Sequence, residues 1–393
     1  MLKDKKTLFR LIAFLAAVAA AVIAFTTGIL QIGHRDPGYY DVGYSDPGKA
    51  EVYGSGIHLL YYEEGASSTI RLHLNEVQKA FTASLQRAWR LTDPDQTYEG
   101  IVNIASLNQA PGQMLEIGGD LQAILADALG RTQRGEGYSL LAGPLYREWQ
   151  SLLYLDEPND FDPLYNADEA RRLSALTEWV NRPDACSLSL ENGMAGLTVS
   201  TEYVSFLSEE EVEWPVLDLN LMRDAYLMDL VARDLRSQGY IDAYLYSDSG
   251  CSLWLQHMDT HYTLYGCDGE KAMEAGILSW SSPSSFCQFT AFSLREDGYG
   301  YYRAGDSLRH PFVSVMSGMP ENVLQALALA GGEEELTDLA YQTAILCMQP
   351  DRAGVQARLD ALPDNVFYAC TYMSEPDSPV IRPDMEERVR PAE

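Results

Sequence analysis

From Leu11 to Leu30 the chain runs for twenty residues without a charge. At helical rise such a stretch is about 30 Å long, the thickness of a bilayer's hydrocarbon core. Lys3, Lys5, Lys6 and Arg10 precede it. A cationic flank stays cytoplasmic, which sends everything after residue 30 outward. The expectation is a basic tail over residues 1–10 and a transmembrane anchor over 11–30, with the remainder extracytoplasmic. The rival is a cleaved signal peptide; signal cores usually run about 7–15 residues, so the length favours an uncleaved anchor.

The remainder reads as globular. It is long enough for a substantial core, and 46% hydrophobic against 22% charged residues is ordinary for a folded domain. The net charge of -29 is not ordinary. A surface that acidic repels phosphate backbones, so nucleic acid is excluded as a partner. An anionic ligand would need a metal ion or a helix N-terminus to offset the field. The cysteines are Cys186, Cys251, Cys267, Cys287, Cys347 and Cys370, with no metal-ligand spacing among them. Outside the cytoplasm they are free to pair or to remain as small buried hydrophobes. Cys251 and Cys267 flank a strand-rich stretch and are the first pair to test.

Two Asp-Pro-Gly turns at 36–38 and 46–48 mark residues 31–50 as a linker. Apolar spacings of three and four predict helices over 71–91, 121–129, 167–179, 219–238, 321–330 and 336–348. Asn166 or Asp168 is placed to cap the third, and Gly239 to stop the fourth. Strands are expected at 57–62, 243–246, 252–255, 299–303, 312–316 and 365–373. Glu191-Asn192-Gly193 between two strand-like runs signals a hairpin. After Glu375 the Pro-rich, charged tail, 376–393, reads as disordered. Helices and strands mix without strict alternation, which points to an α+β fold rather than repeated βα units.

No dinucleotide-binding glycine signature, phosphate loop, zinc-protease motif or nucleophile elbow is present. His257 and His261 are four apart, but their neighbours read as strand and turn, so they are surface histidines rather than metal ligands. The chemistry of single residues therefore names no enzyme and no catalytic residue.

Collinear segments add more. Tyr98-Glu99-Gly100-Ile101 through Asn103, then Leu107-Asn108 and Gly112, are followed by Gly143-Pro144-Leu145 with Trp149. Asp218-Leu219-Asn220-Leu221-Met222-Arg223-Asp224-Ala225-Tyr226 with Asp229 comes next. In order and separation this resembles the ApbE-type FAD:protein FMN transferases, over roughly residues 51–373. The resemblance implies an ApbE-like α+β domain, of mixed and antiparallel sheets with flanking helices, over 51–375. It implies a membrane-anchored or secreted protein that binds FAD with Mg²⁺ and attaches FMN to a Thr or Ser of an extracytoplasmic partner. Metal-assisted phosphoryl transfer would carry that chemistry. By the same resemblance Asp218, Ser249 and Gly250 fall at cofactor-binding positions. Glu321 and Gln325 fall at the positions of a metal-binding Asp and Thr, four apart on a helix that follows a strand. Asp218 is equally well suited to capping the helix behind it.

The departures are specific. Two glycines of the family's third segment are Asn220 and Leu221 here, its lysine is Asp224, and the next glycine is Ala225. Asp248-Ser249-Gly250 stands at a two-glycine turn, and Phe286-Cys287-Gln288 at a Thr-Ser-Gly element. His310 is the candidate remnant of a loop histidine. These changes set a non-catalytic binding or assembly protein against a diverged transferase, with FAD and Mg²⁺ as cofactors in the second case only.

Overall fold

Eight strands in simple sequence order form the centre of the molecule. In the computed structural model, which describes residues 37–45, 55–65, 67–212, 215–256, 259–268, 271–281, 284–291, 300–332 and 335–391, they are β1 (Gly38–Asp41), β2 (Ile57–Glu63), β3 (Ala243–Ser247), β4 (Cys251–Trp254), β5 (Ser285–Thr290), β6 (Leu324–Gly331), β7 (Phe367–Tyr372) and β8 (Glu375–Ile381). Each pairs antiparallel with the next, so spatial order follows chain order. The chain leaves this meander between β2 and β3 for α1 (Ser67–Thr92), α2 (Ile104–Gln109), α3 (Gly119–Gln133), α4 (Gly143–Leu153), α5 (Ala167–Val180), α6 (Thr201–Glu209) and α7 (Arg223–Ser237). Between β6 and β7 it makes α8 (Leu336–Cys347) and α9 (Arg352–Asp360).

Both faces of the sheet are covered. Cys287, Phe289, Leu327 and Leu329 point into the main core with α7 and α8. Their alternate neighbours Phe286, Ala328 and Ala330 pack under a ribbon of Asp259–Asp268, Lys271–Ser281 and Val389–Pro391, against Tyr262, Leu278 and Trp280. Tyr262 stacks on Phe286 with ring centroids 4.2 Å apart.

This double cover explains one failed expectation. The segment expected as a helix over 321–330 is strand β6, buried along its whole length. A strand covered on both faces has no polar side, so it loses the alternation by which strands are read. Its Leu and Ala residues then mimic a helix. The tail is the second correction: residues 376–391 are ordered, because β8 pairs with β7 and Val389–Pro391 with Gly276–Leu278. The linker is a third, since Gly38–Asp41 forms the edge strand on β2. The anchor and basic tail lie outside the described residues. Among those described, no helix is long and apolar enough to cross a membrane.

Other expectations hold. Asn166 caps α5, its side-chain oxygen accepting the N–H groups of Asp168 and Glu169, both at 3.1 Å. Gly239 ends α7 with φ +84°. Asn192 and Gly193, at φ 50° and 79°, turn the hairpin of Cys186–Glu191 and Met194–Val199.

Candidate functional site

The third motif segment enters α7 through a tight turn at Asn220–Met222. Asp218 builds that turn: its Oδ1 accepts the Asn220 N–H at 2.7 Å. Asn220 sits at φ 47°, a conformation open to glycine and, at lower cost than for most residues, to Asn. The backbone shape thus survives the loss of glycine while a side chain is added. On the other side, α4 starts so close that a Cβ on Gly143 would stand 2.3 Å from the Pro215 carbonyl oxygen. Only glycine permits that approach.

Beside this turn lies a cleft of about 500 Å³. Asn220, Leu221 and Asp224 line one side, and Asp248, Ser249 and Gly250 of the β3–β4 turn another. Trp149 and Tyr154 of the α4 region, Tyr301 and Phe312, and Gln288 and Thr290 of β5 complete the lining. No Lys, Arg or His lines the cleft among the described residues. The Arg223 guanidinium instead sits 3.8 Å from the centre of the Trp89 ring. The Asp224 carboxyl is pushed above its ordinary range by burial, while a hydrogen bond from Ser249, the Arg223 charge and a hydrogen bond from Ser247 oppose the shift. The Asp248 carboxylate reaches His58 Nε2 at 3.2 Å.

Of the residues expected at cofactor positions, Ser249 and Gly250 line this cleft and Asp218 does not. Gly250 has a structural reason to be glycine: φ is +90°, and a Cβ would meet the Gln288 carbonyl oxygen at 2.4 Å. The aromatic wall of Tyr154, Tyr301 and Phe312 had no signal in the sequence, because it is assembled from separate loops.

The metal assignment fails. Glu321 and Gln325 share no helix face, since Gln325 lies in strand β6. The Glu321 carboxylate accepts the Ser317 hydroxyl at 2.7 Å, and Gln325 is buried beside Thr371. The helix that follows a strand is α8. There Asp338 is exposed and paired with Arg131 at 2.8 Å. Thr343 is buried and donates to the Leu339 carbonyl at 2.9 Å. Four residues before Thr343 stands Leu339, and four after Asp338 stands Gln342, so neither register supplies an Asp and a Thr together. Among the described residues no three His, Cys, Asp or Glu gather as a metal site requires. These donors do not fit Mg²⁺, which demands several well-placed oxygens.

His310 is a packing residue. Its Nε2 meets the Glu321 carbonyl oxygen at 2.9 Å and its Nδ1 accepts the Phe312 N–H. Burial lowers its pKa to about 4. His261 is exposed on the strand Asp259–Asp268, with its Nδ1 3.2 Å from the Ser279 hydroxyl, and His257 is outside the described residues.

A larger cavity, about 640 Å³, opens between α3, α7 and the start of α8. Its charges are used by the scaffold. Arg233 pairs with Asp120 at 2.8 Å, and Asp229 accepts the N–H groups of Leu336 and Thr337 at 3.2 and 3.0 Å. Burial raises Asp229 to about 6.

No protein-family model and no curated protein matches the chain in sequence. Solved structures do match. The ApbE protein of Thermotoga maritima superposes with a TM-score of 0.60 at 10% identity, over 90% of this chain and 100% of the other. The flavinyl transferase ApbE of Pseudomonas stutzeri gives 0.54 at 12%, over 90% and 96%. The flavin transferase ApbE of Vibrio cholerae gives 0.52 at 11%, over 90% and 100%. At this identity the likeness is one of architecture, and the chain has the fold of the ApbE flavin transferases.

Proposed function

We propose that the protein is a non-transferring relative of the flavin transferases. It would act as a binding protein outside the cytoplasm, held to the membrane by residues 11–30. Its cleft would take a small, flat, uncharged or cationic ligand. The observation that carries this reading is Asp224, a carboxyl in the cleft wall at the position where the resemblance expects a lysine. A second carboxylate at Asp248 and the absence of a described cation in the lining disfavour a diphosphate. Leu339, four residues before Thr343, leaves no carboxylate at that spacing for a divalent ion that would offset the repulsion. Aromatic walls and a volume near 500 Å³ suit a ring-bearing small molecule.

The competing reading keeps FAD, Mg²⁺ and transfer to a Thr or Ser of an extracytoplasmic partner. Its support is the collinearity of the motif segments and a fold match along the full length of the compared transferases. Fluorescence titration with riboflavin, FMN and FAD, each with Mg²⁺ and with chelator, separates the two. The binding-protein reading expects riboflavin to bind at least as tightly as FAD and Mg²⁺ to change nothing. FAD binding that is tenfold tighter than riboflavin and dependent on Mg²⁺ would overturn it.

A further inference from the structure

We propose that Cys251 and Cys287 form a disulfide joining β4 to β5. The two residues are register partners on adjacent antiparallel strands, and both are buried. Their Sγ atoms lie 3.0 Å apart, unbonded. The ladder places them well. Gln288 N–H donates to the Gly250 carbonyl at 2.9 Å and Trp254 N–H to the Ser284 carbonyl at 3.1 Å. Hydrogen-bonded and non-hydrogen-bonded couples alternate along such a ladder. Gly250–Gln288 and Trp254–Ser284 are of the first kind, so Cys251–Cys287 is of the second, where side chains stand closest. Closing to a bond of about 2.05 Å moves the sulfurs by roughly 1 Å, within reach of a side-chain rotation. The sequence alone offers Cys251 with Cys267 as the first pair to test. Cys251 lies on β4 opposite β5, whereas the backbone at Cys267 pairs with Ala272 in the ribbon.

The reaction needs an external disulfide, such as oxidised glutathione or the disulfide of an oxidoreductase. One cysteine thiolate attacks it and expels one external thiol. The second thiolate then attacks the mixed disulfide and expels the other. The two cysteines lose two protons and two electrons, and the external disulfide is reduced to two thiols. The bond closes a loop over the ribbon that covers the outer face of the sheet. It also fixes Gly250 and Gln288, the sequence neighbours of the two cysteines, at the edge of the cleft.

The test uses the full chain, purified in detergent and equilibrated with oxidised glutathione. Free thiols are then alkylated, and the unreduced protein is digested with trypsin for mass spectrometry. Lys271 lies between Cys251 and Cys287, so the bond joins two peptides, and fragment ions distinguish Cys251 from Cys267 on the first. The expected result is a Cys251–Cys287 link in most molecules. Its reduction should lower the thermal midpoint by about 5 °C. Cys287→Ser should unfold at the midpoint of the reduced wild type. Alkylation of both cysteines, a Cys251–Cys267 link, or a midpoint insensitive to reductant would each overturn the proposal. The mass measurement needs no variant, so it stands even where Cys287→Ser does not fold.

Discussion

Two sets of residues within the segment Asp218–Asp229 have different fates. Asp218, Leu219, Tyr226 and Asp229 match the flavin-transferase pattern, and each is tied into the scaffold. Asp218 holds the Asn220 N–H and Leu219 is buried. The Tyr226 hydroxyl donates to Asp127 at 2.5 Å, and Asp229 caps the start of α8. Asn220, Leu221, Asp224 and Ala225 depart from the pattern; the first three line the cleft, and Ala225 is buried in the core. The same division holds elsewhere. Gly143 allows a backbone crossing, and Asn108 brackets Leu217, donating to its carbonyl at 3.0 Å and accepting its N–H at 2.8 Å. Within this segment the residues that match the pattern serve the scaffold, and the cleft is lined by residues that depart from it.

Substitutions can break or sharpen that division. His310 belongs to the scaffold set, and its effect is read through pH. Its folded pKa of about 4 lies below the ordinary 6.5. It therefore contributes stability that is complete above pH 6.5 and is lost as the pH falls toward 4. Relative to His310→Gln, the wild type should lose about 3 kcal/mol across that window in denaturant titrations. A constant difference between the two would remove His310 from the scaffold set. Asn108→Ala strips three buried hydrogen bonds and should cost about 2 kcal/mol by chemical unfolding. Asp229→Ala uncovers two N–H groups at the start of α8 and should cost about 1 kcal/mol.

Cleft positions should respond weakly or with the opposite sign. Asp224 has a raised pKa, so its ionisation opposes folding once the pH passes the ordinary carboxylate range. The gain in thermal midpoint of Asp224→Asn over the wild type should therefore be larger at pH 7 than at pH 4. A midpoint below the wild type's at pH 7 would place Asp224 among the scaffold residues. Asn220→Gly should be the smallest change, within about 0.5 kcal/mol, because glycine accepts the same φ. A large loss there would show that the Asn220 amide supports the fold.

Much of the scaffold was legible in the sequence because its signals are local. The Asn192-Gly193 turn, the Asn166 cap and the Gly239 stop each act within a few residues. Strand β6 was misread because burial on both faces erased its period, and that burial depends on a ribbon drawn from elsewhere in the chain. The metal positions depend on the same lost period: a helix over 321–330 would put Glu321 and Gln325 on one face, and strand β6 does not. The cleft was half legible. Ser249, Gly250 and the charge reversal at Asp224 could be read from the collinear segments. The aromatic lining could not, because Tyr154, Tyr301 and Phe312 come from distant segments and share the cleft only after the chain has folded.

The separation of scaffold from ligand chemistry is tested most directly by AMP release. The full chain is incubated with FAD, Mg²⁺ and a Thr- or Ser-bearing acceptor protein, and AMP is followed by chromatography. The rebuilt cleft predicts no AMP above the protein-free blank, with or without Mg²⁺. Release that depends on Mg²⁺ and on the folded protein would show that Asp224, Asp248 and Leu339 still leave room for transfer, and would contradict the account.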